Sequence, residues 1–427
     1  MIIDELTSKN DHLMIGGVDS VDLAKQYGTP LYVFNIEQIR SQIRKFKTAF
    51  EKANLKYQIS YASKAFAVKA IHQVMKQEDV HVDVVSGGEL YTALQAGFPS
   101  EKISFHGNNK SADELEMAVK NHVGIIMLDN FHEIDLLAQI LKTENSNINV
   151  MLRLTPGISA HTHKYDQTGQ TDSKFGFDVE SGQASRAMQL VLNNPQMNLL
   201  GIHAHIGSQI FGTQGFKMLA QKMIEISKKF KREFNYWPQV INLGGGFGIS
   251  YNENDDPITA QEFISQISAE LKANCDNIPE IWIEPGRSIV GPAGYTLYAI
   301  GSRKDIPKLK SYVSVDGGMG DNIRPALYQA KYEAVVANKM NQEIVESAHI
   351  SGKYCESGDI LIDDQKLPET KPGDILAILD TGAYGYSMAM NYNRNPRPAV
   401  VFVENGKSKL VVKRETYQDL INFDCNY

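Results

Sequence analysis

Eight short apolar runs, rich in Val and Ile, recur along the first two thirds of the chain. They are YQISYASK (57–64), VDVVS (82–86), ISFHG (103–107), IIMLDN (125–130), NVMLRLTPG (149–157), LLGIHAHIGS (199–208), QVINLGGGFG (239–248) and EIWIEPGR (280–287). Most are continuous rather than alternating, which suits strands covered on both faces. Between them lie segments of helical period: SADELEMAVKN (111–121), FHEIDLLAQILKT (131–143), SGQASRAMQLVLNN (181–194), GFKMLAQKMIEISKKFKREF (215–234) and TAQEFISQISAELKANC (259–275). The last follows Pro257 and Ile258, and Thr259 with Glu262 three residues later forms a capping-box pattern. Early strands start 21 to 25 residues apart, the length of a short βα unit, and later spacings leave space for inserted loops such as 161–177. Eight βα units predict an α/β fold with a closed (β/α)8 TIM barrel; an open doubly wound sheet is the alternative on pattern alone.

From about residue 290 the texture changes to YTLYAIG, SYVSVDGG, YEAVVANK, ILIDDQ, GDILAILDTG, AVVFVENG and KLVVKRE, with turns at Asp-Gly, Asn-Gly and Pro-Gly. This predicts a second, all-β domain; an α+β domain is the alternative. The early run LYVFN (31–35) fits the amino-terminal strand of either domain. The length of 427 residues accommodates both.

Composition narrows the partners. There are 43 Lys+Arg against 50 Asp+Glu, a net charge of -7. That field attracts neither nucleic acid nor an anionic membrane. Cys275, Cys355 and Cys425 are odd in number and too far apart for a metal knuckle, which points to a reduced, cytoplasmic compartment. The start, MIIDELTSKNDHL, lacks the pattern of a signal peptide. The longest stretch free of charged residues, 187–216, is broken by Asn, Gln, His, Pro and Gly and does not read as a membrane span.

The polar residues that interrupt the strands cluster at their carboxyl ends, where a barrel builds its sites. Lys64 closes the first run; a lysine there can condense with an aldehyde, or simply reach solvent. Gly244, Gly245 and Gly246 directly after a strand allow backbone N–H groups to approach an anion such as phosphate, or make a tight strand exit. Glu284 can hold a protonated pyridine nitrogen in its charged form, or pair with Arg287. His203 and His205 share one face. They suit a metal pair poorly, because no third ligand stands at a recognisable spacing; stacking on a planar cofactor or plain packing fits as well. Ser208 can donate to phosphate. Nothing beside His106 suggests a partner. In the second domain, Cys355 and Glu356 of CESGD offer a proton donor and an ammonium binder. Arg324 and Tyr328 of RPALY can hold a carboxylate, and Tyr384 and Tyr386 lie in a glycine-rich loop. A Schiff-base lysine, a phosphate cradle, a carboxylate for a ring nitrogen and a stacking imidazole together describe pyridoxal phosphate.

With these motifs on the page, the chain resembles the barrel-type pyridoxal-phosphate decarboxylases, which share the alanine racemase-like fold. YASKAF, DVVSGGEL, TGQTDSKFGF, HAHIGSQ, NLGGGFG, EPGRSIV, RPALY, CESGD and GAYGYSM occur in the family's order, over nearly the whole chain. The resemblance implies pyridoxal 5′-phosphate linked to Lys64, with His205 stacked on its ring. Ser208, Gly244, Gly245, Gly246 and Tyr384 match phosphate contacts, and Glu284 matches the partner of the ring nitrogen. Arg287, Arg324 and Tyr328 match substrate-carboxylate ligands, with Tyr384 beside them. Cys355, near Cα, and Glu356, at the distal ammonium, match residues supplied by the other subunit of a head-to-tail homodimer with composite sites. It further implies a barrel over 36–288, and a β-barrel-like domain from 1–35 together with 289–427. The implied reaction is loss of CO2 from the D-centre of meso-2,6-diaminopimelate to give L-lysine, without a metal. Ornithine, arginine, lysine or carboxynorspermidine decarboxylation, racemisation, and a non-catalytic cofactor-binding homologue are the alternatives. One position departs from the pattern: Phe66 stands where the family often has Asn, which implies a small packing change beside the cofactor.

Overall fold

The computed structural model describes residues 6–158 and 173–427. The TGQTD portion of the TGQTDSKFGF segment and most of the inserted loop at 161–177 lie outside them, as do the first five residues. Two compact units emerge, one from Gln42–Gly248 and Pro257–Ser288, the other from the chain up to Ser41, Ile249–Asp256 and Ile289–Tyr427. Residues 36–41 and 249–256 thus group with the second unit, although they fall inside the 36–288 span read from the sequence.

The first unit is built on β1 (Tyr57–Ala62), β2 (His81–Val84), β3 (Ile103–Phe105), β4 (Ile125–Leu128), β5 (Ile148–Thr155), β6 (Met197–His203), β7 (Val240–Asn242) and β8 (Glu280–Ile283). Each pairs in parallel with the next, and β8 pairs with β1, so the sheet closes. All eight apolar runs are therefore barrel strands, shorter than the runs because the polar residues at each run's end leave the ladder. The short strand Phe177–Asp178 adds to β5.

Helices cover the outside. Gln214–Phe234 buries Phe216, Leu219, Ala220, Met223, Ile224 and Phe230, one face at the helical period. Thr259 and Glu262 form the expected capping box on Ala260–Asn274. Helices Lys69–Gln77 and Gly87–Gln95 complete the early βα units. Inside the barrel, Ile125, Met127, Met151, Val240 and Trp282 form an apolar cluster, and His81 meets Trp282 edge-on at 5.3 Å. Side chains alternate along a strand. The residues two positions further on are Asp129, Arg153, Asn242, Glu284 and Asp83, so the same inward face turns from apolar to charged toward the carboxyl end.

The second unit is a branched sheet centred on the long strand Gly294–Ile306, which pairs with Leu31–Asn35, Lys310–Val315 and Ile375–Ile378. LYVFN belongs here, parallel to Ala399–Glu404. Alternation gives the sheet a core on each face: Leu297 and Ala377 enter one, Tyr298, Leu376 and Ile378 the other. Among the described residues, no helix is long and apolar enough to cross a membrane.

His72, on Lys69–Gln77, is fully buried with neither ring nitrogen partnered. Burial lowers its pKa from 6.5 to about 4. An unfolded chain takes up that proton first, so this residue's contribution to stability is complete above pH 6.5 and falls as pH drops toward 4. Between pH 7 and pH 5 the loss is about 2 kcal/mol. Urea denaturation of His72→Leu at both values should show a smaller acid-side loss by that amount; an equal loss in variant and parent would overturn the assignment.

Candidate active site

Each barrel strand delivers a polar side chain as it ends. β1 runs into the turn Ser63–Ala65, which presents Lys64 exposed between buried Ser63 and Ala65. Lys64 acts electrostatically on Asp83, Glu89 and His205, which places it in the same group as the ends of β2 and β6. Phe66 is fully buried, and its carbonyl accepts from the Tyr61 hydroxyl at 2.9 Å.

Glu284, just beyond β8, is the centre of the barrel mouth. Its Oε2 lies 3.1 Å from His203 Nε2, and its Oε1 accepts from Asn242 Nδ2 at 2.6 Å. His106 Nε2 lies 3.1 Å from Oε1, off the line of a well-formed hydrogen bond. The two imidazoles meet edge-on at 5.2 Å. Asn242 is oriented by its own carbonyl, which accepts from Gly244 N at 2.9 Å. Burial opposes charge on Glu284, but His106 and His203 outweigh it and hold the carboxyl well below its usual range. His203 is driven down to about 4 by burial, against the pull of Glu284, so it serves as a neutral N–H donor. Asp83 goes the opposite way: burial, with the charge of Glu284 added, pushes it well above the carboxylate range, against Lys64. The surroundings thus push the two carboxyls apart, Glu284 toward the ionised form and Asp83 toward the protonated one.

The expectation that His106 lacks a partner is corrected here, since barrel closure brings it to His203 and Glu284. The three offer ligand atoms within 4.8 Å of one another. Lys110 fixes the loop after β3, donating to Gly107 O and Met127 O at 2.8 Å and to Glu133 Oε1 at 2.6 Å. Glu284 pairs with histidines and not with Arg287. Arg287 instead donates to Ser208 Oγ from Nε at 3.3 Å and from Nη2 at 3.0 Å.

His205 is half-buried, and its Nδ1 accepts from Gly245 N at 3.3 Å. Burial, then repulsion from Lys64 and Arg153, keeps it neutral. The glycine loop allows no side chains. A Cβ on Gly245 would stand 2.2 Å from Glu284 O, and one on Gly246 2.2 Å from Gly207 O. The loop is anchored by Phe247, stacked on Phe216 at 4.8 Å and edge-on to Phe263 at 5.1 Å, with Phe46 at 5.0 Å.

The second unit gathers a separate group. Arg324 is buried, donates from Nε to the Tyr332 hydroxyl at 3.0 Å, and lies over the rings of Tyr328 and Tyr384 at 5.0 and 5.5 Å. Cys355 and Glu356 are exposed. Their loop is held by Asp359, which accepts from Tyr354 N at 2.9 Å and from Met319 N at 2.6 Å. Sequence reasoning missed Asp83, Asn242, Lys110, Tyr332 and Asp359. The first two were readable from alternation, two residues beyond His81 and Val240.

The barrel mouth fits a planar, anionic, aldehyde-bearing cofactor. It offers an exposed amine, a neutral imidazole, a hydroxyl beside a guanidinium, and a buried carboxylate held ionised as acceptor. Asp83 Oδ1, Ser63 Oγ and Ser288 Oγ, at the same strand ends, are buried without partners. Residues 36–291 match the family described as pyridoxal-dependent decarboxylase, pyridoxal binding domain. A diaminopimelate decarboxylase of Bacillus methanolicus is 58% identical over 412 residues, covering 96% of this chain and 95% of its own. One of Bacillus subtilis is 55% identical over 424 residues, covering 98% and 97%. Among solved structures, diaminopimelate decarboxylase of M. jannaschii in complex with L-lysine superposes with a TM-score of 0.94 at 35% identity, covering 100% of this chain and 99% of its own.

Gly245→Ala should destabilise the fold by about 1–3 kcal/mol, because the added methyl must push β8's exit aside. Gly212→Ala, with nothing within 4 Å of the new Cβ, serves as the control. Equal urea midpoints for the two variants would contradict the close packing of the loop.

Proposed function

The chain belongs to the pyridoxal-dependent decarboxylases, and from that membership we propose that it decarboxylates meso-2,6-diaminopimelate at its D-centre to yield L-lysine and CO2, the closing reaction of lysine synthesis by that route. What carries the reading is likeness over both units: relatives with this activity in their name match 96–98% of the chain, not the barrel alone. The likeness thus takes in the group around Arg324 as well as the barrel.

When bound, pyridoxal phosphate supplies a ring that accepts the electron pair left on Cα as CO2 departs. Lys64 binds the aldehyde through Nζ. Glu284, ionised, favours a protonated ring nitrogen, and His205, neutral, packs on the ring without adding charge. Ser208, Gly244, Gly245, Gly246 and Tyr384 hold the phosphate. Arg287, Arg324 and Tyr328 bind carboxylate, and Glu356 takes the distal ammonium. Cys355 or Lys64 returns one proton to Cα, which takes up the electron pair left behind when CO2 departs as a neutral molecule. Fixed charges at the distal end reject ornithine, arginine and lysine, whose distal ends lack the carboxylate those charges bind.

We assign the active form as a cytoplasmic homodimer, with Cys355 and Glu356 reaching the partner's site. Three free cysteines, two of them exposed, support a reducing compartment.

The purified, cofactor-loaded protein should release CO2 from meso-diaminopimelate and form L-lysine, and release none from ornithine or arginine. CO2 from a simple diamine precursor, or epimerised product, would sink the assignment. Borohydride should fix the cofactor on the parent, and fix none at that position in Lys64→Ala. Mixing inactive Lys64→Ala with impaired Cys355→Ala dimers, with subunit exchange, should restore about a quarter of parental activity, since half the dimers then carry one intact site. No recovery after proven exchange would rule out shared sites.

A further inference from the structure

We propose that His106 and His203 are positioning residues for the decarboxylation: with Asn242 they hold Glu284 so that one oxygen face stays ionised, aimed and unshared for a cationic ring nitrogen. This rests on the reading of Glu284 as that nitrogen's partner.

A carboxylate offers about four lone-pair sites. Asn242 takes one on Oε1 at 2.6 Å, and His203 takes one on Oε2 at 3.1 Å. His106 brings Nε2 to 3.1 Å from Oε1. Among the described residues no other side-chain donor reaches Glu284, which leaves a site on Oε2. His72 is buried with neither ring nitrogen partnered, whereas His203 brings Nε2 to within 3.1 Å of Glu284 Oε2 and leaves only Nδ1 buried and unpartnered. The proton therefore belongs on Nε2, facing Glu284, because a proton on Nδ1 would be buried with no acceptor. The edge-on contact at 5.2 Å restricts how either ring can turn. His106 is fixed from behind as well, its backbone N donating to Val84 O at 2.8 Å and its loop tied by Lys110.

Losing an N–H donor weakens the anion and makes Glu284 easier to protonate. The other charged or titratable groups that act on it, Arg153 from β5, Asp83 from β2 and His205 beyond β6, stay in place in every variant.

The test uses holoenzyme of His106→Leu, His203→Leu, His106→Gln and His203→Gln. Three quantities are read: the cofactor dissociation constant, the pH titration of the bound cofactor's absorbance, and kcat and KM against pH. Each leucine variant should bind cofactor about 10- to 100-fold more weakly and lose kcat by a similar factor, with KM moving within about threefold. The acid limbs of the absorbance titration and of kcat should both move to higher pH. Glutamine, which places an amide N–H where Nε2–H stood, should recover most of the loss. Should either leucine variant fail to fold, the glutamine variant is compared with the asparagine variant at that position, whose shorter amide falls short of Glu284; no difference then overturns the proposal. Unchanged titrations in the leucine variants, or glutamine no better than leucine, also overturn it. So would one equivalent of divalent metal per chain in the parent, lost in His106→Leu, which would make the cluster a metal site. Glu284→Gln separates the two readings. If it leaves all three quantities unchanged, Glu284 is not the ring nitrogen's partner. If it alone changes them, only the role of the histidines fails.

Discussion

A buried carboxylate decides how the first unit must fold. Removing an unpaired carboxylate from water costs several kcal/mol, and partners recover that only in good geometry. The partners of Glu284 come from three other strand ends, at His106, His203 and Asn242. His203 and Asn242 reach it because β6, β7 and β8 pair in register, His203 opposite Asn242 and Asn242 opposite Trp282, and His106 reaches it across the closed barrel. A slip of one residue would turn any of these side chains to the outer face. The same register that seats the apolar cluster around Trp282 and Met151 thus assembles the charged cluster above it.

This explains what could be read from the linear chain. Continuous Val- and Ile-rich runs mark strands covered on both sides, and their polar ends mark the mouth, so Lys64, His205, the triple glycine and Glu284 stood out locally. Helix Ile36–Ala53 carries an open signal in Ile36, Ile39, Ile43, Phe46 and Phe50, yet its polar face lowers the contrast with its surroundings. His106 was opaque for a different reason. Its partners sit on other strands, 81 residues separate even His203 from Glu284, and no spacing rule spans a barrel closure. The alternative of an ion pair between Glu284 and Arg287, suggested by their nearness in sequence, is not the one formed: beyond the turn through Pro285 and Gly286, Arg287 donates to Ser208 Oγ. LYVFN could not be assigned from its own composition, since its antiparallel and parallel neighbours lie beyond residue 290.

The glycine loop joins these two levels. Its backbone must pass within reach of Glu284 O and Gly207 O, which excludes any Cβ, yet glycines are the least constraining residues in a chain. Order comes from Phe247, whose burial among Phe46, Phe216 and Phe263 is worth about 3–5 kcal/mol. A flexible segment is thus held at one point by the helices outside the barrel, and its amides face the mouth as a consequence of packing on the far side.

Two carboxyls in one interior would ordinarily repel or share a proton. Here the surroundings separate them: Glu284 has N–H donors and stays ionised, while Asp83 keeps an unpartnered Oδ1 and is pushed toward the protonated form. Each orphaned buried polar atom costs about 1–3 kcal/mol. Asp83 Oδ1, His203 Nδ1 and Ser63 Oγ all lie at this mouth. A barrel selected for stability alone would carry apolar residues there, as it does one turn of alternation below. The strain is tolerable because the apolar layer, the closed ladder and the outer helices over-determine the fold. Its persistence at the strand ends is itself the mark of a site whose side chains are held ready for a ligand that completes them.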